Sequence, residues 1–279
     1  MNHLLTTKLT WRDKVSNSEL SSFFMEIKSI KDSIDSVLSQ QDFSNDIPDY
    51  KTIENSISLL ERMAEVENSS IAVFDLYKKE FITIRSKYKD QVKVDIQEAK
   101  TYGLAYYISI MHPDDGPVVL DTYKKVFEFS FNLLVEEKKD YKTIFNFRLG
   151  SQGKYFHFVQ QIVVLELTRS GKIWLGLSLS DMLPENEKFE KVNRRVINLR
   201  NGKYYLFNED DKENTWQSLS TRELEVLGLV SKGFISKEIA DKLFISVNTV
   251  NNHRQNILEK IKAANTDEAI RYARILGLL

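Results

Sequence analysis

The chain has 279 residues, enough for two domains of ordinary size, and 42% of them are hydrophobic, which excludes a generally disordered protein. It contains no cysteine, which excludes disulfides, thiolate zinc sites and cysteine nucleophiles. Residues 1–14 lack the apolar segment of a signal peptide, and no apolar run approaches the ~20 residues that span a bilayer. The cytoplasm is therefore the expected compartment, with no membrane partner.

The N-terminal segment, residues 1–64, is expected to be helical. Apolar residues recur at steps of three and four between residues 20 and 38, which is the spacing of an amphipathic helix. A second helix is expected after Pro48, with Ile53 and Ile57 on one face. The two helices could form a hairpin or pair with another protomer, but packing against the following domain is favoured because the stripe is short for a coiled coil.

From residue 65 to residue 183 the pattern changes to strands. Turn signals at Gly150 and Gly153 separate the later runs as antiparallel hairpins. Short helices and one long amphipathic helix, residues 118–134, lie between the second and third strands. The order predicts a five-stranded antiparallel sheet with helices. The five strand-like runs are residues 71–75, 81–84, 141–149, 155–167 and 172–179.

The element order is that of a PAS domain: two strands, short helices, a long helix and three strands. His112-Pro113-Asp114-Asp115, which precedes the long helix, is similar to the HPxD signature of many PAS sensors. The resemblance covers residues 65–183 and implies a sensor or dimerisation domain. We expect the two aspartates to cap the N-terminus of the long helix and His112 to brace its turn.

No catalytic, metal or cofactor site is predicted in the front half. His112 and His157 have no partner at metal-ligand spacing. Strands that cluster into hairpins also disfavour a phosphorylated receiver domain, which needs alternating parallel strands and helices. The many Phe and Tyr residues could line a pocket for an unidentified small molecule, but core packing explains them equally well, so a ligand stays an open alternative.

Residues 184–215 are predicted to be a linker that contains a β-hairpin. Two strand-like runs flank Asn201-Gly202, a pair typical of a two-residue type I′ turn. The hairpin is expected to dock either on the preceding domain or on the following one. The polar stretch 209–214 is predicted to be the hinge.

Residues 216–279 carry the pattern of four short helices. Ser220 and Glu223 are spaced as a capping box at the start of the first helix. The second leads through a short turn into the third, residues 247–261, and a fourth follows. This region contains nine Lys and Arg residues against seven Asp and Glu residues, so its charge is +2 while the rest of the chain carries −3. Such a mild surplus suits a specific, salt-sensitive DNA-binding protein.

The third of these helices has an apolar face and a face of amides. Two helices joined by a short turn are the geometry of a helix-turn-helix, whose later helix lies in the major groove of DNA. There Asn and Gln can form paired hydrogen bonds with N6 and N7 of adenine. Asn251, Asn252 and Gln255 are therefore predicted to contact bases. The apolar residues are Val250, Ile257 and Ile261, and the polar residues opposite them are Asn248, Asn251, Asn252, Gln255 and Glu259.

Several spaced motifs in this region together resemble the LuxR-type (GerE-type) DNA-binding domain. They are Leu219-Ser220-Thr221-Arg222-Glu223, Lys237-Glu238-Ile239-Ala240, Leu243-Phe244-Ile245-Ser246, Asn248-Thr249-Val250, Asn252-His253-Arg254 and Lys260-Ile261. The resemblance spans about the last sixty residues without a gap. It implies a four-helix domain that binds double-stranded DNA as a homodimer, in which the third helix reads bases and the fourth pairs the protomers.

Further contacts follow from position and from this resemblance. Phosphate contacts position a helix without reading sequence, and the residues predicted to make them are Ser246, Asn248, Thr249, Arg254 and Lys260. The residues proposed for protomer pairing are Ala269, Tyr272, Ala273 and Leu276. Spacing alone favours core packing for these four residues, so both uses stay open.

One position departs from the family pattern. The family usually has a lysine after the Thr-Val pair, where this chain has Asn251. A charge that can reach phosphate or guanine is thus replaced by an amide suited to adenine. We predict half-sites rich in A·T pairs and a shallower salt dependence of binding than in relatives with the lysine.

The predicted protein is α+β, with a PAS-like five-stranded antiparallel sheet and helices followed by an all-α LuxR-type domain of four helices. We interpret it as a cytoplasmic, dimeric transcriptional regulator rather than an enzyme. A small molecule or a protein would act as the signal on the front half. The alternative is an interaction protein whose front half recruits a partner without sensing a ligand.

Overall fold

A computed structural model describes residues 17–66, 69–151, 154–185, 188–206, 218–275 and 278–279. The described helices are α1 Asn17–Leu38, α2 Glu54–Val66, α3 Lys89–Val92, α4 Ile96–Tyr102, α5 Leu104–Ser109, α6 Gly116–Phe131, α7 Thr221–Val230, α8 Ser236–Leu243, α9 Val247–Ile261 and α10 Thr266–Ile275. The described strands are β1 Ser70–Asp75, β2 Glu80–Arg85, β3 Tyr141–Ser151, β4 Lys154–Leu167, β5 Ile173–Met182, β6 Arg194–Asn198 and β7 Tyr204–Leu206.

The strands form one antiparallel sheet in the order β2-β1-β5-β4-β3-β6-β7. The prediction of five strands is wrong, because the described sheet has seven. The five predicted strands are present, but the hairpin β6–β7 extends their sheet by pairing with β3 from Tyr141 opposite Asn198 to Phe145 opposite Arg194. Without it, β3 would be an edge strand with unpaired backbone groups, so the added pairing covers an edge.

The hairpin itself is confirmed, but its predicted two-residue type I′ turn is wrong. That turn needs a positive φ at both central residues, and only Gly202 has one, at 67°. The loop is instead organised by Asn198, whose Oδ1 accepts hydrogen bonds from the amides of Arg200 and Asn201. A longer loop closed by an Asn side chain therefore replaces the tight turn.

The main core lies between the sheet and helices α1, α4, α5 and α6. Helix α1 buries Ile27 and Ile34 in it and contacts α5 and α6. Helix α2 packs elsewhere, against a second cluster that includes Val73 and Trp174. Val73 and its neighbour Phe74 belong to different clusters, as alternation along a strand requires. The two N-terminal helices therefore pack on the following domain, as favoured from sequence.

The turn before α6 differs from the expectation in one respect. Asp115 precedes α6 but makes no capping hydrogen bond, so the predicted capping role of its side chain is wrong. Its buried carboxylate instead accepts bonds from Arg148 of β3: from the backbone amide at 2.7 Å, Nε at 2.9 Å and Nη2 at 2.6 Å. His112 braces the turn as expected, since its Nδ1 accepts from the amide of Asp114 at 3.2 Å.

Helices α7 to α10 enclose a separate core. It includes Val226, Ile239, Val250 and Ile261, each almost fully buried. The predicted hinge, residues 209–214, lies outside the described residues. None of the described helices is both long enough and apolar enough to cross a membrane.

Candidate nucleic-acid interface

Helix α7 begins with the predicted capping box, which the structure confirms. Ser220 Oγ accepts from the amide of Glu223 at 3.3 Å, and the Glu223 carboxylate accepts from the amide of Ser220 at 2.7 Å. The same carboxylate accepts from Lys260 Nζ at 2.7 Å, which ties α7 to the end of α9. Burial would raise the pKa of Glu223, but the bonds from Lys260 and Ser220 outweigh it and hold the pKa below its ordinary 4.5.

Three residues, Phe244 to Ser246, separate α8 from α9. Phe244 ends α8 in the left-handed region with φ 54°, and its side chain is 93% exposed. The C-terminus of α8 is fixed from α7, because Arg222 Nη2 donates to the carbonyl of Leu243 at 2.6 Å. Ser246 then caps α9, its Oγ accepting from the amide of Thr249 at 3.0 Å. This short, capped turn sets α9 against α8 as in a helix-turn-helix.

One face of α9 is buried and the opposite face is open. Val250, Ile257 and Ile261 are 0–2% exposed in the domain core. A helix of 3.6 residues per turn then directs the residues between them outward. The residues of α9 on the outward face are Asn248, Asn251, Asn252, Gln255 and Glu259, and all five are exposed.

The three predicted base-contact residues therefore lie together on one exposed face. In this state Gln255 Nε2 donates to Glu259 Oε1 at 3.0 Å, a bond between neighbours one turn apart. Among the described residues, none is hydrogen-bonded to the side chain of Asn251 or Asn252. The face needs no rearrangement of the domain to approach a groove, and Gln255 keeps its second N–H and its amide oxygen for a base while it bonds Glu259.

The five residues predicted to contact phosphate have different surroundings. Asn248 is exposed at the first turn of α9, where free backbone amides also favour an anion. Thr249 and Ser246 use their hydroxyl groups on one another, 2.8 Å apart. Lys260 is held by Glu223, and Arg254 lies 3.4 Å from Ser236 Oγ and 3.3 Å from Thr266 Oγ1. Lys260 and Arg254 each have donors beyond those used in these bonds, and the phosphate role of all five residues stays a prediction.

The residues proposed for protomer pairing are buried within this chain. Ala269, Tyr272 and Ala273 are 1%, 3% and 0% exposed, and Leu276 lies outside the described residues. Tyr272 also contacts the β6–β7 hairpin: its hydroxyl accepts from Asn193 Nδ2 at 3.3 Å, and the Arg195 guanidinium lies 3.5 Å from its ring centroid. No local pattern in the sequence predicts this contact between the two parts of the chain. The pairing role stays a prediction.

The front half contains a cleft of ≈ 660 Å³, counted with its open mouth. Its wall is mostly apolar and includes Phe147, Phe158, Leu104 and Met111. Its polar side is formed by Gln160, whose Nε2 donates to Tyr123 Oη at 2.8 Å and to Ser178 Oγ at 3.3 Å. Burial raises the pKa of Tyr107 and Tyr123, both of which line the cleft, so their hydroxyl groups stay protonated hydrogen-bonding groups at neutral pH.

Across the part of the chain that the structure describes, no group of three or more His, Asp and Glu side chains is placed to hold a metal ion. His157 instead packs its ring edge-on against Phe189, with the centroids 4.5 Å apart. Burial lowers the pKa of His157, and the charges of Arg148 and Lys188 lower it further.

Two solved structures similar to this chain are a phage VqmA–DPO complex and a Vibrio cholerae VqmA dimer. The first is 18% identical, with 81% of this chain and 89% of that chain covered, at a TM-score of 0.31. The second is 14% identical, with 80% and 88% covered, also at 0.31. TM-scores this low do not establish a shared fold.

Two curated relatives match a short stretch of this chain. The oxygen regulatory protein NreC of Staphylococcus carnosus (strain TM300) is 49% identical over 55 residues, which are 20% of this chain and 25% of that protein. NreC of Staphylococcus aureus (strain JH9) is 44% identical over 68 residues, which are 24% and 31%. The match therefore spans about a quarter to a third of the length of these relatives.

The family "Bacterial regulatory proteins, luxR family" matches residues 217–273. This C-terminal region is thus a LuxR-type helix-turn-helix domain.

Proposed function

We propose that this chain is a transcriptional regulator that binds operator DNA as a homodimer through α9. The observation that carries the proposal is the division of α9 into a buried apolar face and an exposed amide face. Asn is an indifferent helix former, and the outward amides add nothing to the domain core. Hydrogen bonding to base edges gives them a use, and the LuxR-type match of the domain supports that use.

The identity of residue 251 sets the expected sequence preference. Asn251 is exposed on the amide face, where an amide can bond N6 and N7 of adenine in a bidentate manner. Its neutral side chain also releases no counterion from the DNA. We therefore expect A·T pairs in the half-site and a weak contribution of this position to the salt dependence of binding.

Selection of bound duplexes from random DNA with the full chain tests this proposal. We expect two half-sites rich in A·T pairs, with a fixed spacing that reports the dimer. Asn251→Lys should shift the preferred base toward guanine and steepen the slope of log Kd against log salt by about 1. Asn256→Lys adds the same charge about 140° round the helix from residue 251 and should leave the base preference unchanged. Recovery of G·C-rich half-sites by the parent chain would contradict the proposal.

For the front half we propose a PAS-like sensor of a small molecule. The sheet order β2-β1-β5-β4-β3 and the His112-Pro113-Asp114-Asp115 turn before α6 support the PAS likeness. The cleft supports the sensing role, since it combines an apolar wall with the polar side at Gln160. Among the described residues that line the cleft, Arg85 alone carries a charge at neutral pH, and it pairs with Glu61 at 3.2 Å. The expected ligand is accordingly uncharged.

Native mass spectrometry of the purified full chain tests the sensing role. We expect a retained small molecule in the parent protein. Ala72 lines the cleft, so Ala72→Phe places a ring there and should abolish retention while circular dichroism reports an intact fold. If the parent protein retains no small molecule and Ala72→Phe leaves the unfolding temperature unchanged, the alternative function described below is favoured.

The second candidate function is recruitment of a partner protein by the front half without a ligand. Helix α2 favours it, because Leu59, Met63 and Val66 are 51%, 46% and 86% exposed at steps of four and three residues. Such a stripe faces one direction on a helix. If recruitment is the function, Leu59→Ser with Met63→Ser should abolish partner capture, whereas Ala72→Phe should have no effect.

A further inference from the structure

Arg195 of β6 is a buried cation whose hydrogen-bonding groups are largely unused. Its side chain is almost fully buried, and its guanidinium lies 3.5 Å from the ring centroid of Tyr272. Nη1 and Nη2 are both buried and have no hydrogen-bond partner among the described residues. A guanidinium stays charged at neutral pH, and a cation–π contact offsets only part of the cost of removing it from water. Two nitrogens of a buried cation are therefore available to an acceptor.

A further unsatisfied hydroxyl lies on the same face of the hairpin. Tyr204 of β7 is 1% exposed, and its Oη is buried without a hydrogen-bond partner in the described part of the chain. Arg195 is opposite Leu206 and Ile197 is opposite Tyr204, so Arg195 and Tyr204 are diagonal neighbours. Burial raises the pKa of Tyr204 more than the charge of Arg195 lowers it, so the hydroxyl keeps its proton and can donate.

The carboxylate that acts on Arg195 is already bound by other groups. Glu268 Oε1 accepts from the Tyr272 hydroxyl at 2.9 Å, and Glu268 Oε2 accepts from the amide of Ala264 at 2.6 Å. Glu268 also lies 3.7 Å from Arg271, a second cation that acts on Arg195. Two positive charges thus stand against one negative charge, which leaves a surplus of +1 around Arg195.

The other carboxylate close to this face, Glu223, does not remove the surplus. It acts on Tyr204, but it accepts from the amide of Ser220 and from Lys260 Nζ, each at 2.7 Å. The charges of Glu223 and Lys260 therefore cancel one another, and the charge of Arg195 still needs an opposite charge.

Apolar side chains enclose the face on the side of Tyr204. They form a small cluster that contains Ile144, Val159, Ile197 and Tyr204, with Leu183 and Leu278 packed against it. An apolar surrounding strengthens the attraction between a cation and an anion. It also favours a compact anion over one that keeps a shell of water. The surplus of one charge favours a monovalent anion over a divalent one.

We propose that Arg195 and Tyr204 bind a small monovalent inorganic anion, of which chloride is the example we test, on the face of the β6–β7 hairpin beside Tyr272. The anion accepts from Nη1 and Nη2 of Arg195 and from the Tyr204 hydroxyl. A ligand that binds the folded chain and not the unfolded chain stabilises the fold as its concentration exceeds its dissociation constant. The proposal does not depend on the DNA-binding function proposed above.

Urea unfolding of the full chain at constant ionic strength, with chloride replaced stepwise by the much larger gluconate, tests the site. The unfolding midpoint of the parent should rise with chloride concentration. Arg195→Met keeps most of the side-chain volume without the charge, so the variant should fold and lose the chloride dependence. Arg200→Met is the matched control, because Arg200 is an exposed arginine of the same hairpin that pairs with Asp140 at 2.7 Å. It should keep the chloride dependence.

Removal of the Tyr204 hydroxyl gives a second test that a purely structural role would not pass. Tyr204→Phe removes no hydrogen bond to a described residue, so in gluconate it should be at least as stable as the parent. In chloride it should be less stable than the parent, with the apparent chloride dissociation constant raised about tenfold. Tyr205→Phe, on the same strand but on the opposite face, should leave that constant unchanged.

Bromide, which scatters anomalously, shows where the anion binds. Crystals of the full chain grown in sodium bromide should give an anomalous peak beside the Arg195 guanidinium, and crystals of Arg195→Met should not. A parent midpoint that is the same in chloride and gluconate would overturn the proposal. So would a chloride response that survives Arg195→Met, or bromide peaks found only at other places. Circular dichroism spectra that match the parent establish that each variant is folded.

Discussion

At the scale of single residues, Glu223 shows what local sequence can predict and what it cannot. Its capping box with Ser220 follows from a spacing of three residues. Its bond with Lys260 joins residues 37 positions apart, for which the sequence carries no local signal. The sequence therefore predicts only a phosphate contact for Lys260, which stays a prediction, and the structure adds a bond from its ammonium group to a buried carboxylate of its own domain.

Replacing Glu223 should give a stability loss that depends on pH. The pKa of Glu223 is lower in the folded chain than its ordinary 4.5. The ionised carboxylate therefore stabilises the fold above about pH 4.5, and this contribution is lost as pH falls through the folded pKa. Glu223→Gln should lower the free energy of unfolding by roughly 1 kcal/mol at pH 7. Urea unfolding at pH 7 and at pH 3 measures the loss, which should shrink at the lower pH.

The neighbouring Glu225 supplies the control for that experiment. It lies on the same helix and pairs with Arg222 at the surface, with its side chain 47% exposed. Exposed pairs contribute little, so Glu225→Gln should leave the unfolding midpoint nearly unchanged at both pH values. Equal losses in the two variants, or a Glu223→Gln loss that is the same at both pH values, would exclude the specific role of the buried carboxylate.

At the scale of secondary-structure elements, the sequence predicts where helices and strands occur better than it predicts which strands pair with one another. The period of apolar residues located the five strands of the front sheet and the four C-terminal helices. The hairpin was predicted from Asn201-Gly202, but its pairing with β3 was not. A strand pattern shows which residues extend and which face is apolar, whereas strand neighbours are chosen by the whole fold. The seven-stranded sheet could therefore be known only from the structure.

The ion pair of Asp115 with Arg148 fixes α6 to β3, and its loss should destabilise the front domain. Asp115 is 1% exposed and accepts three hydrogen bonds from Arg148. Arg148 donates these bonds to Asp115, and the pairing raises the pKa of Arg148. A guanidinium stays charged at neutral pH even after its partner is neutralised. Asp115→Asn should therefore lower the free energy of unfolding by about 3 kcal/mol, measured by urea unfolding.

The adjacent Asp114 is a close control, because its side chain is 80% exposed and lies 3.8 Å from the same arginine. Asp114→Asn should change stability by less than about 0.5 kcal/mol. An Asp115→Asn variant as stable as the Asp114→Asn variant would show that the buried pair does not hold α6 in place.

At the scale of the whole molecule, two regions of different character meet at one contact. Composition and motifs separated a sheet domain from a helical DNA-binding domain, and residues 217–273 match the luxR family. The sequence did not predict that Asn193 and Tyr272, 79 positions apart, would join them. Asn193 and Arg195 lie within the segment predicted to be a linker, residues 184–215, and the sequence around them has no apolar period that indicates a partner. Domain identity is thus encoded locally, and domain docking is not.

The measurement that most directly tests the account is the ratio of binding constants for a selected duplex and a scrambled duplex at fixed salt. In a chain with Asn251, Asn252 and Gln255 all changed to Ala, we expect this ratio to fall at least about tenfold, because each bidentate base contact contributes ~1–3 kcal/mol of discrimination. Binding to the scrambled duplex should change little, since phosphate contacts dominate it. Asn256→Ala, on the same helix, should preserve the ratio. A triple variant as selective as the parent would contradict the claim that the amide face of α9 reads DNA.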